Sequence, residues 1–126
     1  MPNITVEVSN ETIASLFCSA LEGGSNYWIA SCELITSDVT PRPGVVWWGS
    51  EEVFNGEWQA KIIHYDPDNA ENAKTVYITD NRLLSGLQVM ARDYPSQFAN
   101  ILKEDYDATD ADGFMQCVIF GEVIYG

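Results

Sequence analysis

The chain has 126 residues, 46% of them hydrophobic and 12% aromatic, which is globular composition and enough length for one domain, residues 1–126, with a single core. Nineteen Asp and Glu oppose six Lys and Arg, a net charge of -13 that repels phosphate backbones and argues against direct nucleic-acid binding. No run approaches the roughly 18 apolar residues of a membrane span, and MPNITVEVSN lacks the basic start and apolar core of a secretory signal.

Taken in chain order, Ile4, Val6 and Val8 alternate with polar residues and predict a strand. Asn10 is a candidate N-cap for a helix over 11–22. Its apolar face is Ile13, Leu16, Phe17, Ala20 and Leu21. Gly23 then supplies the positive φ that commonly ends a helix, and Gly24 loosens the turn into a strand over Asn26–Thr36. Asp38–Gly44 is a loop by its prolines and glycine, followed by a strand-like run Val45, Val46, Trp47, Trp48 and a turn at Asn55-Gly56. Trp58–Tyr65 and Thr75–Thr79 predict an antiparallel pair joined by the polar loop DPDNAENAK. The C-terminal third changes to helical period. One helix is capped at Asp80 or Asn81 and ends before Pro95, a second covers Ser96–Lys103, and a third opens at Thr109 or Asp110 with the TDAD capping spacing and closes near Gly121. The order predicts an α+β fold: an antiparallel sheet of four or five strands, helices packed on one face, and a helical C-terminal third.

Chemistry-bearing motifs are few. Cys18, Cys32 and Cys117 are odd in number and lack ligand spacing, which fits free thiols in a reducing cytoplasm and gives no zinc site. The stretch EDYDATDADG, Glu104 to Gly113, holds five carboxylates: Glu104, Asp105, Asp107, Asp110 and Asp112. It fails as an EF-hand, because aligning Gly113 with the invariant glycine places Ala108 and Ile119 where carboxylate ligands are required. A looser metal site at Asp107, Asp110 and Asp112 stands beside the simpler reading of acids at a helix N-terminus. His64 is the sole histidine and shares a strand face with Asp66, without a nucleophile motif beside it. No phosphate-binding glycine loop occurs, and no cofactor is indicated. Trp47 and Trp48, as neighbours in a strand, would face opposite sides, so one of them is a candidate interface residue.

Two segments carry a resemblance. Glu22, Gly23, Gly24, Asn26, Tyr27 and Trp28 form EGGxNYW, and Gln116, Phe120, Gly121, Glu122, Tyr125 and Gly126 form QxxxFGExxYG. Together they resemble small acidic proteins of tailed phages and prophages. The resemblance implies a viral accessory protein of the bacterial host cytoplasm and brings no catalytic residue with it. In that context the acidic character predicts a binding protein rather than an enzyme. It would inhibit or regulate a host defence or nucleic-acid-processing protein with a basic surface, by presenting the charge of a nucleic acid, and homo-oligomers are compatible with this. The expected partner-binding residues are Glu104, Asp105, Asp107, Asp110, Asp112, Trp47 and Trp48, joined by Glu51, Glu52 and Glu57. The alternative is a small-molecule or nucleotide-signal binder using Glu22, Asn26, Tyr27 and Trp28. A third reading is an enzyme built on Glu22, His64 or the Asp107–Asp112 carboxylates.

Overall fold

The structure, a computed structural model, describes residues 5–126; Ile4, part of the predicted first strand, lies outside the described residues. The elements are α1 (Asn10–Ser19), a π-helical turn (Ala20–Gly24), β1 (Ile29–Ser37), two short 3-10 helices (Trp47–Gly49 and Glu51–Asn55), β2 (Trp58–Asp66), β3 (Asn69–Ile78), α2 (Asp80–Asp93), α3 (Pro95–Leu102) and α4 (Ala108–Phe120). The α+β class and the helical C-terminal third are as expected.

The strand count is not. The sheet has three antiparallel strands in the order β1-β2-β3, where four or five were expected. Thr5–Ser9 runs without strand pairing into α1, whose N-cap is Ser9 rather than Asn10, with the Ser9 Oγ accepting from the Thr12 N–H at 3.1 Å. Val45–Trp48 does not form a strand either. Gly44 sits at φ 82 after two prolines, and the chain then coils so that Trp47 turns inward against Phe17, Phe54 and Trp58, with ring centroids 5.6–6.0 Å apart. Trp47 Nε1 donates to the Cys32 carbonyl at 3.2 Å, occupying an acceptor of β1. Adding the Trp47 ring to the cluster of Phe17, Phe54 and Trp58 outweighs what an edge strand would gain there.

β2 shows why the sheet has one wet face. Trp58, Ala60, Ile62 and His64 are buried, and the residues between them are half-buried or exposed. This is period-two patterning over a one-sided core. The β2–β3 hairpin is tighter than the sequence suggests: Asp66 pairs with Asn69, so Pro67 and Asp68 form the turn and most of the supposed loop is strand. On the inner side, Leu16, Phe17, Trp28, Val53, Ile62, Ile78, Met90, Ile101, Phe114 and Met115 make the core. Close approach of α2 to α4 is set by Gly86, where a Cβ would lie 2.6 Å from Val118 Cγ2 and 2.9 Å from Val118 N.

α4 begins earlier than the TDAD spacing predicts, and its capping pair is Asp107 with Asp110 rather than Thr109 with Asp112. Asp107 is the N-cap and exchanges bonds with Asp110, whose backbone N–H donates to Asp107 Oδ1 at 2.9 Å while Asp110 Oδ2 accepts from the Asp107 N–H at 3.2 Å. Gly121, in the left-handed region at φ 74, ends the helix. No helix among the described residues is long and apolar enough to cross a membrane.

Candidate functional site

The two segments that carry the resemblance meet in space at one buried carboxylate, Asp112, on the first turns of α4. Its Oδ1 accepts from Ser25 Oγ and Trp28 Nε1, both at 2.7 Å. Its Oδ2 accepts from Tyr27 OH at 2.8 Å and Gln116 Nε2 at 3.0 Å. A carboxylate offers about four lone-pair sites, and here four donors fill them. Gln116 extends the network: its Oε1 accepts the backbone N–H groups of Ile124 and Tyr125, each at 2.8 Å, which fixes the tail after α4. Trp28 is 1% exposed and packs in a triangle of rings with Phe120, at 4.9 Å, and Tyr125, stacked at 5.9 Å. Burial, then the bond to Asp112, pushes the Tyr27 hydroxyl up to about 12.

Gly24 has a role in this arrangement that differs from the expected one. Among the described residues the glycines at positive φ are Gly44 and Gly121, so Gly23 does not end α1 through a left-handed residue. The helix instead widens into a π turn that carries Gly24 against the start of α4, where a Cβ would lie 2.2 Å from the Ala108 carbonyl oxygen. That contact delivers Ser25, Tyr27 and Trp28 to Asp112. Sequence reading missed Ser25 and Gln116 as its partners; the recurrence of Gln116 in the second segment was the available signal.

Glu22, Asn26 and Tyr27 remain on the surface, Tyr27 at 53% exposure. An open cleft of about 440 Å³, bounded by Tyr27, Tyr125, Gln97, Thr109 and Val123, takes only Tyr27 from the expected ligand-binding set; Glu22, Asn26 and Trp28 do not line it.

The acidic stretch is divided by the fold. Asp110 and Asp112 are buried at 6% and 8% exposure; Asp110 serves the capping box and accepts from Asn100 Nδ2 at 3.1 Å. Asp105 and Asp107 are exposed. Among the described residues no three of His, Cys, Asp and Glu are grouped as a metal ion would need, so the looser site at Asp107, Asp110 and Asp112 is not formed.

Glu104 belongs to a second feature. It follows α3 in the left-handed region at φ 57, with the Asp105 N–H reaching the Asn100 carbonyl at 2.9 Å and the Glu104 N–H reaching Ile101 at 3.0 Å. This is a helix-terminating geometry in which glycine is the usual residue at the left-handed position. From there Glu104 Oε1 accepts from Thr12 Oγ1, itself buried at 7% exposure, at 3.2 Å. The result is a groove of about 410 Å³ lined by Glu11, Thr12, Ser15, Ser19, Glu104 and Tyr106, every one an oxygen-bearing side chain, with Tyr106 OH donating to Ser15 Oγ.

Elsewhere, among the described residues, four of the nineteen carboxylates sit in ion pairs: Glu52 with Arg42, Glu33 with Lys61, Asp66 with Lys74 and Asp93 with Arg92. Arg82 spends its guanidinium on the Val118 and Ile119 carbonyls of α4. Arg42, Lys61, Lys74, Arg82 and Arg92 are thus each engaged with a carboxylate or a carbonyl of the protein itself. Trp48 is half-buried beside Trp47, and its Nε1 is buried without a hydrogen-bond partner. Glu51 and Glu52 lie on a 3-10 helix, with Glu57 exposed just before β2.

His64 is 3% exposed, packs edge-on to Trp28 and Phe120, and its Nδ1 donates to the Tyr65 carbonyl at 2.9 Å. Burial pushes the Cys32 thiol up to about 12 and the Cys117 thiol to about 11, away from the thiolate that nucleophilic chemistry uses. The comparisons with protein-family models, curated proteins and solved structures return no match to the chain.

Proposed function

We propose that the protein is an acidic accessory protein that binds a cationic surface of a partner protein, and that the groove between α1 and the α3–α4 connection is where the partner's Lys or Arg side chains enter. In the phage context implied by the resemblance, the partner is a host defence or nucleic-acid-processing protein whose basic surface ordinarily receives a polyanion. The carrying observation is Glu104. A non-glycine residue at a left-handed position costs about 1–2 kcal/mol, and strain of this kind concentrates at functional sites. Here the strained residue holds a carboxylate over a groove that already contains Glu11 and contains no basic side chain. Oxygen acceptors spaced along such a groove suit guanidinium or ammonium donors.

Glu104→Gly separates stability from binding. Removing the left-handed penalty is expected to raise stability by about 0.5–1 kcal/mol in urea unfolding, while the partner's affinity falls. A variant that loses stability, or gains it with affinity unchanged, counts against the groove. The attraction is exposed and screened over about 8–10 Å at physiological ionic strength, so binding weakens as salt rises.

The cleft beside Tyr27 and Tyr125 supports a second reading, a small-molecule binder with an aromatic wall. A ligand there would raise the melting temperature of the native protein in proportion to its occupancy.

A further inference from the structure

Asn55 is the only asparagine of the chain followed by glycine; the others precede Ile, Glu, Tyr, Ala or Arg. Neither the acidic groove nor the Asp112 network uses this pair. A backbone nitrogen can attack the side-chain amide carbon of a preceding asparagine and close a five-membered ring, an intramolecular reaction between groups already held together. A side chain on the attacking residue hinders the approach, and glycine has none.

The fold leaves the pair free to react. Asn55 is the exposed last residue of the 3-10 helix Glu51–Asn55, while Val53 and Phe54 before it are buried in the core. Gly56 is extended at φ -112, and among the described residues its N–H has no hydrogen-bond acceptor. The backbone is held again at Glu57, whose N–H donates to Asp38 Oδ2 at 3.1 Å and whose carbonyl accepts from the Asp38 N–H at 2.9 Å. Asn55-Gly56 is thus an exposed joint between two anchored segments. Asn10 Nδ2, at the start of α1, donates to Asn55 Oδ1, the oxygen on which negative charge develops during attack.

We propose that Asn55 is a self-modifying site, converted through attack of the Gly56 backbone nitrogen on Asn55 Cγ. The N–Cγ bond forms, the Cγ–Nδ2 bond breaks, and the Gly56 amide proton passes through water to the leaving ammonia. Water then opens the succinimide at one carbonyl or the other, giving aspartate or isoaspartate, and is the sole co-reactant. Either product adds a carboxylate to a segment that already carries Glu51, Glu52 and Glu57. The new charge lies beside the first turn of α1, where it meets the positive end of the helix dipole and the fold is retained. Isoaspartate also lengthens the main chain by a methylene and so displaces Glu57 from Asp38. This chemistry is independent of partner binding at the groove.

Peptide mapping by mass spectrometry, with fragmentation that separates isoaspartate from aspartate, follows the reaction in the full chain at neutral and mildly alkaline pH, beside the same chain unfolded in urea. Asn55 is expected to convert ahead of every other asparagine, and faster at the higher pH because the attacking nitrogen must lose its proton. Gly56→Ala slows conversion by about tenfold or more. Its backbone is not left-handed, and the added Cβ would lie 3.0 Å from Cβ of the exposed Asp38, so a small shift of that side chain admits it. Asn55→Gln, at the same exposed position, abolishes the charge gain, because its ring would be six-membered and closes far more slowly. Protection of Asn55 in the folded chain by more than about a hundredfold over the unfolded one overturns the proposal, as does conversion spread evenly over the asparagines or unchanged in Gly56→Ala.

Discussion

Asp112→Asn lowers the stability of the fold by about 2–4 kcal/mol, despite being isosteric, because it breaks a buried network around a charged acceptor. The four donors around Asp112 decide this. Trp28 Nε1 can only donate, so the amide oxygen of an asparagine must take the Oδ1 position. The amide nitrogen then falls on the Oδ2 position, where Tyr27 OH can turn to accept but Gln116 Nε2 cannot. Flipping Gln116 gives no escape, since its Oε1 already accepts from Ile124 and Tyr125. One donor is left facing another in a buried site. Thermal unfolding followed by tryptophan fluorescence checks this, with a fall of roughly 10 °C expected for a domain of this size. Loss at this site also frees the tail after α4, so amide exchange at Ile124 and Tyr125 rises in the same variant. A melting temperature within a degree or two of wild type would mean that Asp112 does not organise the region.

Gly24→Ala and Gly23→Ala, one residue apart, have opposite consequences. At Gly24 the added Cβ would lie 2.2 Å from a backbone oxygen of Ala108, below any real contact, so the π turn and α4 must separate. The expected loss is about 3 kcal/mol or more, the range of overpacking with backbone displacement, and it extends to the Ser25, Tyr27 and Trp28 bonds that the turn positions. At Gly23 nothing lies within 4 Å of a Cβ and the backbone is not left-handed. Alanine there restricts the unfolded chain and gains about 0.4–1 kcal/mol. Equilibrium urea unfolding of the two variants beside wild type gives both signs in one experiment. Equal losses at the two positions would place Gly23, rather than Gly24, at the helix end in the way the sequence suggests.

That pair of glycines shows what sequence could and could not convey. The apolar face of α1, the alternation of β2 and the capping acids of α4 are local patterns, and local patterns are visible in order along the chain. The function of Gly24 depends on Ala108, and Asp112 finds three of its donors 84 to 87 residues away. An aspartate in an acidic run therefore reads as solvated although it is buried. Trp47 illustrates the same limit: an apolar Val-Val-Trp-Trp run suits a strand locally, and the aromatic pocket around Phe17 exists only after the fold has formed. Trp28, Gln116, Phe120 and Tyr125, from two segments nearly ninety positions apart, build one network that no local pattern announces. The groove at Glu104 left no trace beyond charge, because nothing in LKEDY announces a left-handed glutamate.

The division between an inward-facing Asp112 network and an outward-facing acidic groove is tested most directly by neutralising charge in pairs. For the partner class proposed above, the measurement is capture from a bacterial lysate at low salt, using wild type, Glu11→Gln with Glu104→Gln, and Asp68→Asn with Glu122→Gln. Both pairs remove the same charge, and Asp68 and Glu122 are exposed away from the groove lining. The expected result is a cationic protein retained by wild type and by the Asp68 and Glu122 variant, released as salt rises, and lost from the groove variant. Equal retention by both variants would contradict a role for the groove and reduce the acidity to a general property of the surface.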